Sequence, residues 1–152
     1  MISINVQSEI DGEAKQIAPE LLTMGGVNYE LMPMVKMTAP EKWYKSPIYE
    51  WPESGYIFSS VILLFGFIPV DLHKFGLLDT SLEGIRESST SLIIKSWRHD
   101  RVIEDLGKTV RVIDILEIQP KVKTLAVILA PIYEQIFKHR HKRLKQKYGA
   151  GS

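Results

Sequence analysis

A tryptophan and three ionisable side chains lie in two neighbouring stretches in the second half of this 152-residue chain. Trp97, His99 and Arg101 alternate along the first stretch, and Asp114 lies among apolar residues in the second. A spacing of two places the first three on one face of a strand. Imidazole, guanidinium and carboxylate groups can move protons, polarise a carbonyl or hold the polar end of a ligand. The pattern predicts a cluster of polar side chains on an otherwise apolar face of a sheet.

The connection between these two stretches decides which side chains meet. Glu104–Gly107 has the length of a hairpin turn, and symmetric pairing about it predicts that Arg101 lies opposite Val110. Because an unpaired buried carboxylate is unfavourable, we expect a cation of the neighbouring strand to pair with Asp114. Two interpretations stay open. The polar residues form a cluster that sets strand register, or they project into a cavity and orient a ligand.

Other combinations of ionisable and hydroxyl residues give weaker evidence for a metal or catalytic site. Asp71 and His73 share a strand face, but two groups are too few for a metal site. His139 and His141 are two apart on a predicted helix and do not face each other, so we interpret them as solvated. The Glu87–Thr90 segment has hydroxyl groups without a nearby histidine to activate them. We therefore predict no catalytic residue, no metal and no cofactor.

Composition limits the possible partners and compartments. With 19 basic and 18 acidic side chains, the net charge of +1 gives no argument for nucleic acid. Cysteine is absent, which excludes disulfides. The first ten residues do not have the pattern of a signal peptide, and Val61–Val70 is too short an apolar stretch to span a membrane. We expect a cytoplasmic protein without integral membrane association.

The N-terminal half predicts mixed structure. Alternation over Ile2–Gln7 indicates a strand. Apolar residues at helical spacing in Glu13–Met24, interrupted by Pro19, predict two short helices that end at Gly25–Gly26. A short strand is expected within Leu31–Met37, and four prolines then predict a loop-rich segment.

The C-terminal half predicts strands followed by one helix. Strands are expected over Tyr56–Phe65, Phe67–Leu78, Ser88–Ile103 and Lys108–Ile118. Thr124–Tyr148 is typical of a long amphipathic helix with a basic second half, which suits the helix dipole. Its predicted apolar stripe consists of Leu125, Leu129, Ile132, Ile136 and Leu144. We expect one domain over residues 1–148, followed by a flexible tail at 149–152.

The order of elements and several short motifs resemble a known superfamily. The motifs are Trp97–Arg101, Gly107–Thr109, Val112–Asp114, and a helix pattern that includes Phe137, Arg140 and Leu144. They are similar to the C-terminal half of the helix-grip fold of the SRPBCC superfamily. That superfamily includes START lipid-transfer domains, birch-pollen-allergen relatives and polyketide cyclases.

This resemblance implies an α+β fold in which a curved antiparallel sheet wraps around the C-terminal helix, with two short helices after the first strand. It implies a cavity for an apolar molecule (a lipid, a sterol or a polyketide-like compound) and a carrier or sensor role. The expected ligand-binding residues are Trp97, His99, Arg101, Asp114, Leu129, Ile132 and Ile136.

Two alternatives and one further partner remain open. One alternative is a cyclase- or dehydratase-type enzyme that uses polar cavity residues, although the absence of a catalytic motif favours a non-enzymatic role. The other is an interaction or stress-response module whose cavity is filled by Trp43, Tyr44, Phe65 and Phe67. The basic helix also suggests transient docking on an anionic membrane surface.

Overall fold

A curved antiparallel sheet packs against a long C-terminal helix in the computed structural model, which describes residues 1–53 and 55–151. Within these residues seven strands follow the order β1-β7-β6-β5-β4-β3-β2. The predicted α+β helix-grip fold is therefore confirmed. The strands are β1 (Ile2–Asp11), β2 (Val35–Met37), β3 (Gly55–Leu64), β4 (Ile68–Ser81), β5 (Gly84–Ser91), β6 (Ile94–Asp105) and β7 (Thr109–Pro120).

The helices cover the concave face and one end of the sheet. They are α1 (Ala14–Leu21), α2 (Met24–Leu31), α3 (Glu41–Lys45) and α4 (Ala126–Tyr148), with single 3-10 turns at Ile48–Glu50 and Lys123–Leu125. Two short helices follow β1 as predicted. Residues 149–151 run beside β1, where Gly151 N donates to Glu9 O at 2.9 Å. The predictions for Ser54, in the loop-rich segment, and for Ser152, in the tail, lie outside the described residues.

The predicted boundary between α1 and α2 is wrong. Pro19 lies inside α1, and Gly25–Gly26 form the first turn of α2 rather than its end. Thr23 caps α2, because its Oγ1 accepts a hydrogen bond from Gly26 N at 2.9 Å. A Cβ at Gly26 would collide with the carbonyl oxygen of Glu20. Glycine is needed here for the close approach of two helices, not for a stop.

The predicted strand Ser88–Ile103 is two strands. β5 ends at Ser91, and β6 begins at Ile94 after a tight turn. The Ser91 hydroxyl closes this turn by accepting a hydrogen bond from Ile94 N at 3.0 Å. Because the turn residues Leu92 and Ile93 are apolar and neither glycine nor proline, the sequence carries no conspicuous break.

The β6–β7 hairpin differs from its predicted register by four residues, since the centre of the turn lies two residues later than predicted. Leu106 N donates to Thr109 O at 3.0 Å, so the turn begins later than predicted. Arg101 therefore pairs with Asp114 and not with Val110. Because four is an even number, this shift leaves every side chain on its predicted face. It also brings the guanidinium directly opposite the carboxylate.

The two halves of α4 pack differently. In the C-terminal half Phe137, Arg140, His141 and Leu144 are buried against the sheet. In the N-terminal half Val127 is 82% exposed. Of the predicted apolar stripe, only Leu144 is fully buried; Leu125, Leu129 and Ile136 are half-buried and Ile132 is exposed. No helix of the described residues is long and apolar enough to cross a membrane.

A polar layer divides the apolar core into two clusters. On β7 the buried residues Val110 and Val112 belong to one cluster, and Leu116 and Ile118 belong to the other. Asp114 lies between them on the same strand face and is fully buried. The polar residues that the sequence predicted for this face thus lie at mid-strand, inside the protein.

Candidate ligand-binding site

A cavity of about 330 Å³ lies between the concave face of the sheet and α4. Its mouth contains Val70 of β4 and Ile132 of α4, which line the cavity and are each about half exposed. Most of the lining is apolar. It comprises Leu21, Leu22, Met24, Val27, Leu31, Val35, Met37, Ile48, Ile62, Leu64, Val70, Phe75, Ile85, Ile93, Ile94, Trp97, Leu129, Ile132, Tyr133, Ile136 and Phe137. The polar lining consists of Asp71, His73, Glu87, Ser91, His99, Arg101 and Arg140.

The residues predicted to bind ligand occupy two positions relative to this cavity. Trp97, His99 and Arg101 line it from β6, and Leu129, Ile132 and Ile136 line it from α4. Asp114 of β7 lies behind the wall, in contact with His99 and Arg101. The structure thus brings the predicted residues together, with Asp114 as their support. Ligand contact by each of them stays a prediction.

Asp114 uses both carboxylate oxygens fully. Oδ1 accepts hydrogen bonds from Arg101 Nε at 2.8 Å and His99 Nε2 at 2.8 Å. Oδ2 accepts from Arg101 at 2.7 Å and His141 Nε2 at 2.7 Å. Burial alone would raise the pKa of this carboxyl, but the Arg101 charge and the hydrogen bonds hold it well below the usual range. Four donors satisfy the four acceptor positions of a carboxylate.

Arg101 links Asp114 to a second buried carboxylate. It donates to Glu30 Oε1 at 2.7 Å and to Glu30 Oε2 at 2.8 Å. Arg140 of α4 adds a third bond, from Nε to Glu30 Oε1 at 3.0 Å. Burial favours the neutral acid, but the two arginines outweigh it and lower the pKa of Glu30. Arg101 therefore connects β6, β7 and α2, and Arg140 attaches α4.

His99 lies between two carboxylates. Its Nε2 donates to Asp114, and its Nδ1 lies 3.4 Å from Glu87 Oε1. Burial would lower the pKa of this imidazole, but the contacts with Asp114 and Glu87 raise it above the usual value. Because a carboxylate faces each ring nitrogen, both contacts favour the protonated imidazolium form of His99.

His141 belongs to this network, which corrects the prediction that it is solvated. Besides its bond to Asp114, its Nδ1 lies 2.7 Å from Ser8 Oγ of β1. His139 is half-buried, with Nε2 at 2.9 Å from the carbonyl oxygen of Met32. The basic run on α4 therefore contains both solvated lysines and buried residues that hold the helix on the sheet.

Glu87 and His73 form a further polar pair in the cavity wall. His73 Nε2 lies 2.6 Å from Glu87 Oε2, which also accepts the Ser89 hydroxyl proton at 2.6 Å. Burial alone would raise the pKa of Glu87, but the hydrogen bonds from His73 and His99 lower it below the usual range. Glu87 is thus a carboxylate with three neighbouring donors.

Aromatic rings cover the wall between the polar network and the mouth. Trp97 makes edge contacts with the rings of His73 and Tyr133, at centroid distances of 5.5 and 5.2 Å. Its Nε1 is buried without a partner among the described residues. Because protein atoms cover this N–H, Trp97 presents aromatic surface to the cavity. Burial, and then the charge of Asp71, raise the pKa of Tyr133 to about 12, so its phenol is neutral.

Besides His141, four further residues of the network were missing from the sequence-based site. Glu30, His73, Glu87 and Arg140 all line the cavity or bond to residues that do. Arg140 belonged to the helix motif, so a signal for it was available. Glu30 is 71 positions from Arg101, and no local spacing links the two.

The predicted cavity-filling aromatic residues do not line the cavity. Trp43 packs on Trp51 with ring centroids 5.6 Å apart, and Tyr44, Phe65 and Phe67 are exposed. Phe65 and Phe67 flank the β3–β4 turn, where the chain reverses away from the core. In the described residues, no cluster of three or more His, Asp or Glu side chains has the arrangement of a metal site.

Solved structures with the same fold define the class of this domain. A Chromobacterium violaceum protein matches with a TM-score of 0.71 and 12% identity, over 99% of this chain and 100% of its own. A START superfamily protein from Mycobacterium smegmatis matches at 0.67 and 10% identity, over 97% of both chains. The Zhui aromatase/cyclase from Streptomyces sp. R1128 matches at 0.67 and 9% identity, over 95% and 92%. These structures share the fold of this chain, which is SRPBCC-like.

Sequence comparison then identifies the particular family. Residues 8–148 match DUF8410, which is described as a domain of unknown function. The chain belongs to this family. No curated protein matches it in sequence.

Proposed function

We propose that this domain binds one apolar small molecule in the cavity between the sheet and α4, in a carrier or sensor role. The observation that carries the proposal is the cavity itself, about 330 Å³ with mainly apolar walls and an opening beside Ile132. Ligand sites are apolar concavities of about 300–1,000 Å³ with a few convergent polar groups. A volume at the lower end favours a compact ring system or single chain over a two-chain lipid. The solved structures with a similar fold include a START superfamily protein and an aromatase/cyclase, which supports an apolar small molecule as the ligand.

The structure favours binding over the enzyme alternative. His99, Arg101 and Asp114 do meet at one wall of the cavity, as an acid–base mechanism would require. His99 and Arg101 are each bonded to Asp114, however, and Asp114 has no free acceptor position. These groups therefore support the cavity wall, and we propose that Trp97, Leu129, Ile132 and Ile136 contact the ligand.

Native mass spectrometry and lipid extraction of the purified protein test the proposal. We expect a bound apolar species, and thermal stabilisation by fatty acids, sterols or aromatic polyketides that scales with occupancy. Ile136→Trp places a larger ring in the cavity and should abolish both signals. Ile128→Trp is the matched control on α4, because Ile128 is 61% exposed and does not line the cavity.

Two outcomes would count against the proposal. A clean unliganded mass without stabilisation by any member of the panel would leave the interaction-module alternative. Equal loss of binding in Ile136→Trp and Ile128→Trp would place the ligand outside the cavity.

A further inference from the structure

His73 is a buried polar residue of the cavity wall with one uncommitted ring nitrogen. Nε2 lies 2.6 Å from Glu87 Oε2. Among the described residues no hydrogen-bond partner contacts Nδ1, and its ring neighbours are Phe75 and Trp97, at centroid distances of 6.2 and 5.5 Å. His99 and Arg101 instead direct their nitrogens at the carboxylates of Asp114, Glu87 and Glu30.

The charged side chains near His73 favour one position for the proton of its neutral imidazole. Three buried carboxylates, Glu30, Glu87 and Asp114, face three cations, Arg101, Arg140 and His99. His141 adds no charge when it donates from Nε2 to Asp114 and its Nδ1 accepts the Ser8 hydroxyl proton.

The charges of these six groups therefore balance without a contribution from His73. In the neutral form of His73 the single proton lies on Nε2 and points to Oε2, because Glu87 is a carboxylate. Nδ1 then keeps a lone pair. Asp71 at the mouth is held separately, since its Oδ1 accepts the backbone N–H groups of Leu72 and Leu92 at 2.8 and 3.0 Å.

We propose that His73 Nδ1 is the hydrogen-bond acceptor for a hydroxyl group of the bound molecule, so that the cavity selects apolar alcohols or phenols. This inference rests on the proposed function, since it names the polar group of the same ligand. A carboxylate ligand would meet the lone pair and the nearby anion of Glu87, which disfavours it. An ammonium group would bring an unpaired charge into an apolar cavity.

Three probes with one ring skeleton test this acceptor: naphthalene, 1-naphthol and 1-naphthoate. Titrations of the full chain at neutral pH measure each dissociation constant. We expect 1-naphthol to bind about two- to twelvefold more tightly than naphthalene, the range of one net hydrogen bond. We expect 1-naphthoate to bind more weakly than naphthalene.

A second readout needs no substitution at His73. In protein labelled with ¹⁵N-histidine, 1-naphthol should shift the Nδ1 resonance of His73, and naphthalene should shift it much less. His73→Phe should remove the preference for 1-naphthol if the protein folds. His139→Phe is the matched control, because His139 does not line the cavity and should keep the preference.

The outcomes separate this inference from the proposed function. Equal affinity for naphthalene and 1-naphthol with an unmoved His73 resonance would overturn the acceptor and leave cavity binding intact. Tightest binding of 1-naphthoate would show a cationic His73 and also overturn it. Binding of none of the three probes would contradict both proposals.

Discussion

The two halves of α4 have opposite relations to the sheet. The C-terminal half contributes Arg140 to Glu30 and His141 to Asp114, and buries Phe137 and Leu144. The N-terminal half makes few such contacts, and Val127 and Ile128 are largely exposed. One half of the helix is attached by buried charges and apolar packing, while the other covers a cavity.

This difference explains how a stable domain can keep an open interior. The polar network joins β1, β6, β7, α2 and α4 at the closed end of the cavity. The mouth near Ile132 needs no such attachment. A helix half with few buried contacts opens at a low free energy, so we expect ligand to enter there.

The largest expected effect on stability comes from a substitution in the buried polar network that attaches the C-terminal half of α4 to the sheet. Arg101→Met removes the cation between Glu30 and Asp114 and leaves two buried carboxylates with fewer partners. The free energy of unfolding should fall by about 3–5 kcal/mol, measured by urea denaturation. Arg98→Met is the matched control on β6, because Arg98 is exposed, and should change it by less than about 0.5 kcal/mol. Similar effects of the two substitutions would mean that the network does not hold the fold together.

A smaller effect should come from the charge of His99. Burial lowers the pKa of His99, but Asp114 and Glu87 raise it further, so the folded value exceeds the unfolded value. The stabilisation is therefore complete below the unfolded pKa of about 6.5 and is lost as pH rises through the folded pKa. Between these values the unfolding free energy should fall with a slope approaching about 1.4 kcal/mol per pH unit.

Urea denaturation between about pH 6 and pH 9 measures this slope. His99→Gln should remove it, and His139→Gln should retain it, because His139 contacts a backbone carbonyl and no carboxylate. A flat profile in the unmodified protein would show that His99 is uncharged in the folded state.

The smallest expected effect on stability comes from a substitution in the N-terminal half of α4, which covers the cavity. Val127→Ser should change the free energy of unfolding by less than about 0.5 kcal/mol, because Val127 is 82% exposed. Amide hydrogen exchange should also be faster in residues 126–133 than in 137–144. Equal protection of the two segments would contradict the distinction between a covering half and an attached half.

Local patterns predicted the elements of the fold better than their ends. Strand alternation and the long helix are properties of neighbouring residues, and the resemblance supplied their arrangement. The β5–β6 turn escaped prediction because Leu92 and Ile93 continue an apolar stretch. Its closing bond, from Ile94 N to Ser91 Oγ, has no distinctive spacing in the sequence.

The candidate site was predicted only in part, because local spacing shows which residues share a strand face but not which distant residues contact them. Trp97, His99 and Arg101 lie on one strand, so their shared face follows from a period of two. The partners Glu30 and Arg140 come from helices far along the chain, and only packing of α2 and α4 on the sheet brings them together. His73 and Glu87 were visible as residues, but not as a pair across β4 and β5.

By itself the sequence determined which side chains share a face, and it required a partner for the carboxylate of Asp114, because burial of an unpaired charge is unfavourable. The tertiary structure decided which partners those are. It gave Asp114 four donors, made Arg101 the link between two carboxylates, and left His73 with a free nitrogen at the cavity. The physical reason is that hydrogen bonds depend on distances of about 3 Å between atoms, and residues far apart in the chain acquire them only when the elements pack.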